Sequence, residues 1–259
     1  MISTMARNKA KDALALCLGV ILIGCLVQAA GWMKGDGIVF PAVPEILRAF
    51  VRLLGTGSTW QKIGVTLRHL VEVMAISTVL GIAIGLLEGL NRFFRLLMRP
   101  TMIFLRSTPM IVLIVITMVL VKYDQVPLIA SVIMLVPLIS EAACEGCLRI
   151  DPELKDVYRL NSPLNGRVLW HVYLPLMAGY LRQAFESAVG MGIKLVVTTE
   201  YLVQTRNSLG KAIYTSAYFS EYSEIYAYAL IMILLVLLVS ELPGLLGRGV
   251  RALKKQQPE

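Results

Sequence analysis

Six stretches of this chain are apolar for long enough to cross a bilayer: 13–33, 66–88, 101–121, 125–146, 177–200 and 225–247. Several contain an ionisable residue, as expected in a bundle of several helices, where such a group turns inward rather than toward lipid. Two connections are more than turns. In residues 34–64, Ile46, Leu47, Phe50, Leu53 and Leu54 recur at helical spacing within Pro44–Leu54. They predict a short helix that either lies on the outer membrane surface or caps the bundle.

The second long connection is 147–175. Asp151-Pro152-Glu153 supplies a capping carboxylate, a proline suited to the first helical position and an acid in the first turn. Leu154, Val157, Tyr158 and Leu160 then give an apolar face, and Asn161-Ser162-Pro163 ends the helix. Asn165-Gly166 turns the chain into a second short helix reaching Leu174-Pro175. A helical hairpin with an apolar face has to bury it, either against a docking partner or under its own bundle.

Composition agrees. Of 259 residues, 57% are hydrophobic and 16% charged, more apolar surface than one soluble core of this length can hide. The formal charge of +8 does not point to nucleic acid, because the basic residues flank apolar runs instead of lining one face. With the N-terminus in the cytoplasm, 14 Lys and Arg fall on that side, against 7 opposite: Lys34, Arg48, Arg52, Lys62, Lys122, Arg206 and Lys211. The bias predicts a multi-pass protein of the cell (inner) membrane with both termini cytoplasmic. Arg7, Lys9 and Lys11 precede Ala13–Trp32, a charge-free run without a small-x-small cleavage site, which reads as a retained first helix. Cys17, Cys25, Cys144 and Cys147 complete no metal site and fit as small packed residues, and His69 and His171 stand isolated.

The 147–175 connection resembles the cytoplasmic signature of permease subunits of type I ABC importers, in the nitrate/sulfonate/taurine branch. That signature is Glu-Ala-Ala, three residues, Gly, nine residues, an aliphatic residue, one residue and Leu-Pro. Here Asp156-Val157-Tyr158, Ser162, Val172 and Leu174-Pro175 keep the spacing with altered letters. Glu141-Ala142-Ala143, assigned to a helix end, has no Leu-Pro at the right distance. Other segments follow the family in order. Phe40-Pro41-Ala42-Val43-Pro44 resembles its opening segment, and Leu80–Leu86 with Arg92, Arg95 and Pro100 resembles its second helix and basic loop. Leu105-Arg106-Ser107-Thr108-Pro109, Glu200 and Ser208-Leu209-Gly210 follow, for coverage of roughly 38–250.

The resemblance implies an all-α polytopic membrane protein of about six transmembrane helices with a cytoplasmic coupling-helix hairpin. Residues 1–259 would form a single transmembrane domain, with an N-terminal helix in 1–37, an external interfacial segment at 38–64 and a permease core at 65–250. ATPase coupling would fall to Asp151, Leu154, Asp156, Val157, Tyr158, Ser162 and Gly166. The implied partners are ABC ATPase subunits, an external solute-binding protein, a second permease copy and membrane lipid. ATP and Mg would sit in the partner ATPase, because no Walker A sequence occurs here and Gly210-Lys211 lacks its flanking residues.

No catalytic or metal-ligating set emerges. Lys194, Glu200 and Arg106 are candidates for a translocation path, since an intramembrane charge is a functional hint. The alternative for Lys194 is an internal ion pair with Glu186 or Glu88. Tyr214, Tyr218, Tyr222, Tyr226 and Tyr228 read as an interfacial belt. A secondary transporter without an ATPase remains the main rival function, although no internal repeat is evident. A scaffold for a redox or biosynthetic enzyme is a third reading and would want haem-spaced histidines.

Overall fold

In a computed structural model the structure describes residues 39–151, 153 and 165–254, of which 240–254 as backbone. The expected first helix and most of the coupling segment, including Leu154, Asp156, Val157, Tyr158 and Ser162, lie outside the described residues. Regular structure among those described is helical throughout: α1 (Val43–Leu54), α2 (Gly57–Leu90), α3 (Arg92–Ser107), α4 (Met110–Leu120), α5 (Val126–Leu148), α6 (Leu174–Val203), α7 (Leu209–Tyr218) and α8 (Tyr222–Lys254). Among them, Gly57–Leu90, Tyr123–Leu148 and Tyr222–Val239 are long and apolar enough to cross a membrane, and α3 with α4 would form a fourth, broken span. The apolar side chains left outside are large, such as Val119 at 82% and Leu120 at 74% exposure on α4, and lipid is the solvent that suits them.

Two compact units are distinguishable. Among the described residues, one takes 39–60 together with Ile213–Ile231. In it α1 buries Ile46, Ala49 and Leu53, while Leu47, expected on the buried stripe, points outward. The i, i+3, i+7 set wins because it includes the small Ala49, which the apolar count passed over. Arg52 pairs with Glu224 at 2.6 Å, and Ser216 Oγ donates to the same carboxylate at 3.0 Å. Tyr218 and Phe219 remain exposed in an edge-to-face pair, as a belt requires, but Tyr228 is buried and leaves the belt.

The other unit takes Gln61–Ala212 and the chain from Met232 on. Its centre is α5, with 56% of its most apolar stretch buried against 39% for α2. Gly81, Gly85 and Gly89 form an i, i+4, i+8 stripe on α2 that faces α5. A Cβ on Gly81 would stand 2.7 Å from the Ile139 Cβ, one on Gly85 2.6 Å from the Ala143 Cβ, and one on Gly89 2.5 Å from the Cys147 Cβ. Small residues let the backbones meet, which is how helices gain dispersion energy in lipid.

Three expectations are corrected. The stretch 101–121 is not one straight helix: Thr108 is extended before Pro109, as a residue preceding proline prefers, and α3 and α4 meet at 103°. The basic segment from Arg92 to Pro100 is helical rather than a loop, begun by Asn91, whose side chain accepts from Phe93 N at 2.9 Å. No helix stops at Leu174-Pro175. A turn at Gly166–Val168 and a π-helical stretch, Leu169–Tyr173, lead directly into α6. Pro175 cannot donate and its ring crowds the preceding turn, and the widened stretch, with Leu174 N bonded to Leu169 O, accommodates it.

Gly85→Leu should destabilise the detergent-solubilised protein by about 1–3 kcal/mol through overpacking against α5. Gly64→Ala, at a position with nothing within 4 Å, should leave the thermal unfolding midpoint unchanged or raise it.

Candidate functional site

The described ends of the coupling segment are both anchored. Asp151 accepts from Glu153 N at 3.1 Å, the bond expected of a capping carboxylate, and the residues that would follow it in a helix lie outside those described. At the far end Asn165 accepts from Val168 N at 3.0 Å and opens the turn at Gly166, which has no neighbour against its Cα. Just inside these caps Ile150 and Tyr173 are buried in one cluster with Ala143, Cys147 and Met177. Arg149 stacks over Tyr180, 5.9 Å from the ring centre. The segment thus leaves the end of α5 and returns to the start of α6 through a single apolar clamp.

Glu200 sits near the other end of α6 and is fully buried. Thr66 Oγ1 donates to its Oε2 at 2.9 Å, Gly210 N donates to the same oxygen at 3.2 Å, and His69 Nδ1 lies 2.8 Å from Oε1. Thr66 Oγ1 in turn accepts from Leu209 N at 3.0 Å. One carboxylate therefore ties α2, α6 and the first turn of α7. The chain makes the reversal through Gln204 and Asn207, both in the left-handed region, at φ 52° and 53°. It comes so close that a Cβ on Gly210 would stand 2.5 Å from Tyr201 N. Glu200 accordingly holds three elements together with no surface left exposed, and His69, isolated in sequence, is its partner.

Lys194 is exposed on α6, along a polar stripe with Gln183, Ser187 and Thr198. Neither expected ion-pair partner reaches it. Glu186 takes Arg182 at 2.9 Å, four residues away on the same helix, and Glu88 accepts from Ser140 Oγ at 3.1 Å. Arg106 pairs with Glu141 at 2.6 Å. Glu141 lies within α5, not at a helix end, and with Arg106 it lines a cavity of about 390 Å³ that also exposes Glu88, Arg95, Arg99 and Glu145. Lys194, Glu200 and Arg106 are thus three separate environments, not one site. Among the described residues no group of His, Cys, Asp and Glu could hold a metal ion.

Glu200→Ala leaves the Thr66, His69 and Gly210 donors without an acceptor, each costing about 1–3 kcal/mol when buried. The variant should lose roughly 3 kcal/mol of stability in thermal unfolding, and adding His69→Ala should cost less than the two single changes summed.

A family model described as the binding-protein-dependent transport system inner membrane component matches residues 77–251. A probable ABC transporter permease of Brucella melitensis is 26% identical over 198 residues, covering 74% of this chain and 80% of that protein. The bicarbonate transport system permease protein CmpB of Synechococcus elongatus is 24% identical over 200 residues, covering 73% and 71%. Among solved structures, an inward-facing form of the MetNI methionine ABC transporter superposes with a TM-score of 0.58 at 19% identity, covering 74% of this chain and 96% of the other. The fold is that of a type I ABC importer permease, and the chain belongs to the family of binding-protein-dependent transport system inner membrane components, as the membrane permease of an ABC importer.

Proposed function

We propose that two copies of this chain form a gate driven by separate ATPase subunits that dock on residues 151–166, and that an external binding protein delivers a small solute to it. Both termini face the cytoplasm on this reading, in line with the distribution of Lys and Arg. ATP hydrolysis belongs to the partner, since this chain carries no phosphate-cradling Gly-rich loop. The feature that supports the coupling role is the clamp. Ile150 and Tyr173 enter the same buried cluster from the two ends of the segment. A push on the segment has little slack to absorb it, so it is passed to α5 and α6 as bodies. Closing the ATPase pair would draw the two segments together and open the cavity outward.

Lys194 supports a path along the exposed polar stripe of α6. A lysine facing hydrocarbon costs roughly 2.5–3.5 kcal/mol, so this face meets water or another protein. Its charge favours an anionic or polar solute, a choice that agrees with the bicarbonate transport named for one relative.

Leu154→Asp with Asp156→Lys should abolish uptake while leaving the protein inserted, and the ATPase should no longer co-purify with it. Normal uptake by this double variant would overturn the coupling assignment. Lys194→Met should lower uptake of an anionic solute about tenfold, a change worth ~1.4 kcal/mol; unchanged selectivity in an intact complex would return Lys194 to a packing role.

A further inference from the structure

Helix α3 is not explained by either the clamp or the path. It has no buried residue, carries four arginines and no acid, and departs from the apolar α4 at 103°. If α4 runs toward the membrane interior, that bend leaves α3 running along the surface. The helix repeat puts all four arginines within roughly 60° of one another on one edge. Arg106 is already engaged by Glu141, and Arg95 lines the cavity that also holds Glu88 and Cys144. Arg92 and Arg99 have no ion pair among the described residues, although Arg99 lies on the rim of the cavity that holds Glu88, Glu141 and Glu145. Arg92, Leu96, Arg99 and Ile103 follow one another at i, i+4, i+7 and i+11, and all are exposed. Leu96 is 55% and Ile103 54% exposed, and Phe93 beside them 74%.

We propose that α3 lies in the membrane–water interface and that Arg92 and Arg99 hold the headgroup phosphate of an anionic phospholipid, whose acyl chains cover Leu96, Ile103 and Phe93. The alternation suits that ligand. Two guanidinium groups about two turns apart offer paired donors to phosphate oxygens, and the apolar residues between and beside them suit the start of an acyl chain. A second protein chain would more often bring acids to such an edge, but the three carboxylates near it come from this chain's own α2 and α5. The apolar remainder of the exposed face is what lipid covers without a partner.

The test uses the full-length protein in nanodiscs containing phosphatidylglycerol and phosphatidylcholine, with retained lipid counted by native mass spectrometry after extraction. The wild-type protein should retain phosphatidylglycerol about tenfold more strongly than phosphatidylcholine. Arg92→Gln with Arg99→Gln should remove most of that preference, while Arg68→Gln, at an exposed arginine paired with Glu72, should keep it. Equal retention of the two lipids by the wild-type protein would overturn the proposal, and that comparison stands even if the double variant does not fold. So would a preference unchanged in the double variant, or a double variant that loses its dimer while its lipid preference stays, which would assign the edge to a second copy.

Discussion

The α2–α5 contact at Gly81, Gly85 and Gly89 is the constraint on which the larger unit depends. In lipid there is no hydrophobic gain from bringing two apolar helices together, so association rests on close packing and on internal hydrogen bonds. The glycine stripe supplies the first by bringing two backbones into close contact at three positions over about two turns. It also supplies the second, because the same approach brings Glu88 to Ser140 Oγ. A side chain at Gly85 would separate the helices and strand that carboxylate in the same step.

Polar groups elsewhere in the unit follow the same logic of satisfaction at close range. Glu200 has its two oxygens occupied by three partners, two from α2 and one from α7, and none of its surface is left to solvent. Such an arrangement is expensive to interrupt, because each orphaned donor keeps its full desolvation cost. Lys194, only six residues earlier, is handled oppositely: it stays exposed on a stripe that also carries Gln183, Ser187 and Thr198. These two charges of α6 therefore do different work, although they lie less than two turns apart.

Among the described residues, the spans predicted at 66–88, 125–146 and 225–247 could be read from apolar run length, because lipid enforces that pattern residue by residue. The stretch 177–200, in contrast, forms a long helix that is not apolar enough to count as a span. The Asp151 cap was legible for a similar reason: capping is a local rule that depends on a side chain and a backbone N–H two residues away. What escaped was tertiary. The Glu200–His69 pair joins residues 131 apart, and nothing in either neighbourhood announces the other. The bend at Thr108-Pro109 was present in the letters, yet the unbroken apolar run concealed it. The π-helical stretch before Pro175 reversed a rule that normally holds, since proline there is absorbed by a wider turn instead of ending the helix.

These features meet on α6. Its first turn, at Met177, belongs with the preceding Tyr173 to the clamp at both ends of the coupling segment, and its last turns, at Glu200, belong to the knot with α2 and α7. The helix of 30 residues between them is about 45 Å long. Gly192 contacts Leu70 and Leu135 midway, so the span is packed against both α2 and α5 rather than hanging from its ends. If the clamp is where force enters, as proposed, a helix packed along its length would carry that displacement toward the knot instead of absorbing it by bending. Between the two lies the exposed stripe with Lys194. On the proposed coupling, α6 would join the site of force to a fixed anchor and carry its polar face between them, the mechanical form that a gate requires.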